Sequence, residues 1–107
     1  MSAELKAKKI KLIISDVDGV LTDGGLYYDH LGQVTKRFNV QDGMGIKMAQ
    51  AADITFAVVT GLKSGAVLER MAELDVTDVH SGHMEKWPLV DKMLADKKLT
   101  ASQAAYI

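Results

Sequence analysis

Ile10-Lys11-Leu12-Ile13-Ile14-Ser15-Asp16-Val17-Asp18-Gly19-Val20-Leu21-Thr22-Asp23-Gly24 is the stretch that decides the fold. Ile10, Leu12, Ile13 and Ile14 make a nearly continuous β-favouring run that stops at Ser15-Asp16, which reads as a strand buried on both faces. Ile54 to Val59 repeats the pattern before Thr60-Gly61, and the short Val76 to His80 segment reads as a third strand. Between and after them apolar residues recur at helical spacing: Met44, Met48, Ala51 and Ala52, then Val67, Met71 and Leu74, then Leu89, Val90, Met93 and Leu94. Pro88 suits the first turn of the last helix, where its missing N–H costs nothing, and Glu85 places a favourable charge at the positive helix end. Alternating strands and helices imply right-handed crossovers, so the expected fold is α/β and Rossmann-like, a parallel sheet with helices on both faces. Leu26-Tyr27-Tyr28, a turn at Asp29-His30-Leu31-Gly32 and Val34 to Phe38 stand outside that scheme as an inserted β-hairpin, a flap over about residues 24–38. Thr100 and Gln103 have capping-box spacing on a single helical turn, and Ala104-Ala105-Tyr106-Ile107 looks like the start of another strand. The reading is therefore one domain over residues 1–107, an N-terminal portion whose C-terminal part is missing.

Composition narrows the chemistry. The chain has 107 residues, of which 48% are hydrophobic and 25% charged, enough for one core and no second domain. Zero cysteines exclude disulfides, thiolate metal sites and cysteine nucleophiles, which leaves oxygen chemistry. Thirteen basic residues against fourteen acidic ones, with only a short basic tract at Lys6, Lys8, Lys9 and Lys11, argue against nucleic acid as a partner. The apolar runs fall short of the roughly 20 residues that span a bilayer, and no secretory signal is evident, so the expectation is a cytoplasmic protein without a membrane partner.

In open parallel sheets ligands bind beyond the carboxyl ends of the strands. The first strand delivers Asp16 and Asp18 there, the second Thr60 and Gly61, and the loop before the last helix Lys86. Residues two apart on extended chain point the same way, so Asp16 and Asp18 can share a site. Such a pair suits phosphoryl transfer: one carboxylate attacks phosphorus while the other protonates the leaving oxygen and then activates water. Magnesium prefers oxygen ligands and takes one or two carboxylates, so this edge suits it; Thr60 and the backbone at Gly61 could bind phosphate oxygens, and Lys86 could neutralise charge. A calcium loop is excluded because Gly19 stands fourth from Asp16, not sixth. His30, His80 and His83 read as surface histidines, with His80 and His83 in an irregular loop. Met44, Met48, Met71 and Met93 read as core packing, and Trp87 as a cover for the sheet edge.

These residues resemble a known family. Asp16 to Gly24 is similar to the first motif of the haloacid dehalogenase superfamily, Val59-Thr60-Gly61 to its second and Lys86 to its third. The flap, Phe38-Asn39-Val40-Gln41-Asp42-Gly43-Met44-Gly45-Ile46 and Ser81-Gly82-His83-Met84-Glu85-Lys86 resemble the 3-deoxy-D-manno-octulosonate 8-phosphate phosphatase type, over about Lys9 to Ile107. The resemblance implies Asp16 as nucleophile, Asp18 as general acid and base, and Mg2+ held by the Asp16 carboxylate and the Asp18 carbonyl. It implies Thr60 and Lys86 as phosphate anchors, with Asn39, Val40, Gln41, Asp42, Gly43, Lys47 and Arg70 around a small phosphorylated sugar acid. It also implies a homotetramer built through the flap and a place in lipopolysaccharide biosynthesis. Leu62 stands where the family usually has arginine after Thr-Gly, and Lys47 replaces another arginine. A planar fork for a carboxylate is lost at one position and replaced by a point charge at the other, which leaves the exact substrate open. Family members continue beyond a strand like Ala104 to Ile107 with Gly-Asp-Asp, whose acid completes the metal site.

Two other classes compete with a magnesium-dependent phosphomonoesterase. One is a non-catalytic subunit of this fold whose functional part is the flap. The other is a phospho-accepting receiver domain, disfavoured because its acid would end a middle strand where this chain has Thr60.

Overall fold

The computed structural model describes residues 3–61, 63–81 and 85–107. Leu12–Ser15 (β1), Thr55–Thr60 (β4), Asp78–Ser81 (β5) and Ala104–Tyr106 (β6) form a parallel sheet in the order β5-β4-β1-β6. Tyr27–Tyr28 (β2) and Val34–Thr35 (β3) form a separate antiparallel hairpin. The helices are Ala3–Lys8 (α1), Val40–Ala51 (α2), Gly65–Glu73 (α3) and Trp87–Asp96 (α4), and a 3-10 turn at Ala101–Gln103 leads into β6.

Side-chain alternation along β4 divides the core in two. Phe56 and Val58 point to the layer of α2 and α3, where they meet Val17, Ile46, Val67 and Met71; Ala57 and Val59 point to α4, where they meet Leu12, Ile14, Val90 and Met93. Helices on both faces are what the unbroken apolar strands demand, and each fully buried Val or Leu contributes about 1.5–3 kcal/mol. Ser64 caps α3 by accepting the Val67 N–H at 3.4 Å, Asn39 caps α2 by accepting the Gln41 N–H at 2.8 Å, and Pro88 lies in the first turn of α4. Thr100 and Gln103 form the expected box, with the Thr100 N–H donating to Gln103 Oε1 at 2.9 Å.

Several expectations need correction. Met71 and Met93 are buried, but Met44 and Met48 are 63% and 72% exposed, and Ala51 and Ala52 face outward with them. Apolar residues surround α2 on all sides, so periodicity does not select its inner face; close approach to α3 does. A Cβ on Gly43 would lie 2.5 Å from Arg70 Nη2 and 3.1 Å from Leu74 Cδ2, so the glycine side packs inward with Ile46. β5 begins at Asp78, two residues later than expected, because Val76 enters the core from the preceding turn, its N–H bonded to the Met71 carbonyl. His80 therefore sits on a strand, 3.1 Å from Asp78 Oδ1, and not in a loop; His30 is exposed in the hairpin turn, and His83 lies outside the described residues. The hairpin ladder is only two residue pairs long because every residue in it is exposed and no layer covers it; an isolated bridge from Thr22 to Phe38 closes its foot. α1 was not anticipated, since a helix that buries no residue has no apolar stripe to read.

Candidate active site

β1 lies between β4 and β6, and the carboxyl ends of these strands collect the chemistry. The Asp16 N–H donates to the Ile107 carbonyl at 2.8 Å, and the Ile107 N–H donates to the Ile14 carbonyl at 2.9 Å, so the β6 side fixes the backbone of Asp16. Val17 turns into the core at 1% exposure, which leaves Asp16 and Asp18 pointing away from it. The Val17 carbonyl then accepts the N–H groups of Val20, Leu21 and Thr22, closing a tight turn. Gly19 and Gly24 both have positive φ, and their N–H groups donate to Thr22 Oγ1 at 3.2 Å each, so one hydroxyl staples the loop shut.

Each acid has a lysine. Lys86, at the start of α4, donates to Asp16 Oδ1, and this hydrogen bond holds the Lys86 ammonium above the usual lysine range. The Tyr106 hydroxyl lies near enough to interact electrostatically with the same two groups. Burial raises the Tyr106 phenol first and the Asp16 charge adds to it. The Tyr106 ring lies 5.5 Å from that of Trp87, so Trp87 does lie against the edge strand although it is 67% exposed. Asp18 is paired with Lys36 from the hairpin, Nζ to Oδ1, at 2.5 Å. Thr60 is 4% exposed at the end of β4; Ser15 pairs with Val58, so Thr60 and Gly61 end the strand beside Asp16.

The other expected residues divide. Asn39, Val40 and Asp42 line a cleft of about 540 Å³ with Thr22, Asp23 and Arg37, at the N-terminus of α2. Gln41 enters only through its N–H on the Asn39 cap. Gly43 and Arg70 belong to the α2–α3 packing: Arg70 Nη2 donates to the Asn39 carbonyl at 3.5 Å and Nη1 to Glu73 at 3.4 Å. Lys47 is drawn to Asp75 at 2.5 Å, in the turn that precedes β5 and hence toward the opposite end of the sheet. No contact among the described residues brings it to Asp16, and Leu62 lies outside them. Asp23 is held below the usual carboxylate range by the Tyr27 hydroxyl, with help from the Gly25 N–H and Arg37, and Tyr27 is correspondingly raised by Asp23.

Two residues escaped the sequence reading. Tyr106 was placed on a strand, but only the β1–β6 register of Leu12 with Ala104 shows that it reaches Asp16. Lys36 carried no signal beyond its charge, because the hairpin's direction over the strand end cannot be read from spacing.

No family model matches the chain. It is 44% identical over 102 residues to the 3-deoxy-D-manno-octulosonate 8-phosphate phosphatase of Haemophilus influenzae, an alignment covering 95% of this chain and 57% of that enzyme. A structure from Legionella pneumophila described as a HAD superfamily hydrolase of subfamily III A superposes with TM-score 0.91 at 41% identity, over 95% of this chain and 56% of that one. Over nearly all of its own length the chain is similar to proteins of the haloacid dehalogenase superfamily. Within it, the 3-deoxy-D-manno-octulosonate 8-phosphate phosphatase of Moraxella catarrhalis, solved with magnesium, phosphate and the sugar acid, superposes with TM-score 0.91 at 36% identity, over 95% of this chain and 59% of that one. The chain spans about half the length of the curated relatives it matches. The strand-end acids of this haloacid dehalogenase fold are thus the place to look for its chemistry.

Proposed function

We propose that the protein is a magnesium-dependent phosphomonoesterase that hydrolyses a small sugar-acid phosphate such as 3-deoxy-D-manno-octulosonate 8-phosphate in the cytoplasm, through an aspartyl-phosphate intermediate. The observation that carries the reading is the Asp16–Lys86 pair at the carboxyl edge of β1, with Thr60 at the end of the neighbouring strand and Asp18 two residues further on. Asp16 attacks phosphorus and forms the acyl phosphate while the bond from phosphorus to the sugar oxygen breaks, and Asp18 gives that oxygen its proton. Asp18 then takes a proton from water as the water oxygen attacks phosphorus, which frees Asp16 and inorganic phosphate. Lys86 and the Thr60 hydroxyl hold phosphate oxygens through both steps, where charge accumulates in the transition state.

The residues present fit a hard divalent cation. The Asp16 carboxylate supplies one oxygen, and the Asp18 carbonyl accepts no hydrogen bond from the described residues although its neighbour Val17 accepts three. Those two groups would hold it; when bound, such an ion neutralises phosphate oxygens and orients them toward the nucleophile. The cleft lined by Asn39, Val40 and Asp42 is the space proposed for the sugar acid, with Arg37 at its wall as a planar donor for a carboxylate. The exposed Leu26, Tyr28 and Leu31 of the hairpin support a tetramer assembled through the flap.

The test is phosphate release from 3-deoxy-D-manno-octulosonate 8-phosphate by the purified protein with magnesium. Asp16→Asn, which keeps the shape and removes the nucleophilic charge, is expected to lower turnover by a factor on the order of 10³ or more. Turnover retained in that variant would overturn the nucleophile assignment.

A further inference from the structure

The hairpin delivers a buried cation to the strand end. Lys36 follows β3, and its Nζ stands 2.5 Å from Asp18 Oδ1. Its side chain is 9% exposed while that of Asp18 is 49% exposed, so the lysine is the buried partner. An ammonium on so enclosed a stem needs a counter-charge, since burying a charge unpaired costs several kcal/mol. Among the described residues this is the one ion pair that joins the hairpin to the strand end. The hairpin strands are exposed on both sides, and among the described residues the other ties to the body are the Thr22–Phe38 bridge at its foot and the exposed hydrogen bond from the Tyr27 hydroxyl to Asp23.

We propose that Lys36 is a positioning residue for Asp18: it occupies Oδ1, leaves Oδ2 as the oxygen that exchanges a proton, and by the same contact fastens the hairpin over the strand end. A carboxylate half exposed on a turn samples several rotamers, and a proton donor misplaced by about 1 Å can lose on the order of 10²-fold in rate. The lysine therefore acts on the chemistry through the direction of Asp18 and not by touching the phosphate. The role in turnover rests on Asp18 being the acid–base group; the fastening of the hairpin does not.

A variant cycle read by amide hydrogen exchange over residues 24–35 separates the two. In the purified protein, Lys36→Met and Asp18→Asn should each speed exchange there by about tenfold, the double variant by no more than either alone, and Lys36→Arg should restore most of the protection. Unchanged exchange in Lys36→Met, or effects that add in the double variant, would overturn the ion pair as the fastening. Lys36→Gln replaces the Met variant should the latter fail to fold. In the phosphatase assay Lys36→Met should lower kcat by about 10- to 100-fold with KM within about twofold, and Lys36→Arg should recover much of it. A change confined to KM, or no recovery with arginine, would overturn the positioning role. A wild-type protein that releases no phosphate would defeat the phosphatase reading and with it that role, while the exchange cycle would still decide the fastening.

Discussion

Asp78 on β5 receives Lys97 Nζ at 2.6 Å on Oδ2 and lies 3.1 Å from His80 on Oδ1. Burial works to raise its pKa, but the hydrogen bonds from Lys97 and His80 outweigh it and hold the carboxyl below its ordinary 3.8. A group with a depressed folded-state pKa stabilises above its unfolded value and loses that contribution as pH falls through the folded one. Thermal stability of the wild type should accordingly drop as the pH is lowered below 3.8, with less of that drop in Asp78→Asn, whose melting temperature at neutral pH should already be lower. Parallel pH profiles for the two proteins would show that this triad does not contribute. The pair is partly solvated, so the expected difference is within about 1 kcal/mol.

At the scale of elements, α2 gives the sharpest contrast. Ile46 is 4% exposed and Met48 is 72% exposed, two residues apart on one helix. Ile46→Ala should cost about 2–5 kcal/mol in urea unfolding, while Met48→Glu should stay within about 0.5 kcal/mol. Reversed magnitudes would mean that the helix packs on its methionine side. This is also where legibility ran out. β1 and β4 were readable because a strand covered on both faces must be apolar throughout, and α3 and α4 because each has one apolar stripe over a polar remainder. α2 offers two candidate stripes, and the choice was made by Gly43 against Arg70 and Leu74, a contact that no single segment encodes. The same division holds at the candidate site. Asp16, Asp18, Thr60 and Lys86 could be placed because each follows or precedes an element with a clear period, whereas Tyr106 and Lys36 reach the site through register and hairpin direction.

Taken whole, the molecule is extended for its length: its radius of gyration is 14.7 Å, against about 13 Å for a domain of this size. The hairpin, whose strand residues are all exposed, and α1, which buries no residue, account for such a shape. Leu26, Tyr28 and Leu31 are 70%, 64% and 71% exposed, so a second copy of the chain is the partner proposed for them. Light scattering of a Tyr28→Asp, Leu31→Asp double variant should give a mass several-fold below that of the wild type, and equal masses would remove the hairpin from any assembly. The sheet order carries one more consequence. β1 is the third of four strands in space but the first in sequence, flanked by partners some 43 and 92 residues downstream in the registers Leu12 with Thr55 and Leu12 with Ala104. During synthesis the first strand must wait unpaired on one side until residue 107 has left the ribosome, because the Asp16 amide is bonded to the Ile107 carbonyl. The candidate nucleophile is thus made some 91 residues before the residue whose carbonyl locks its amide in place.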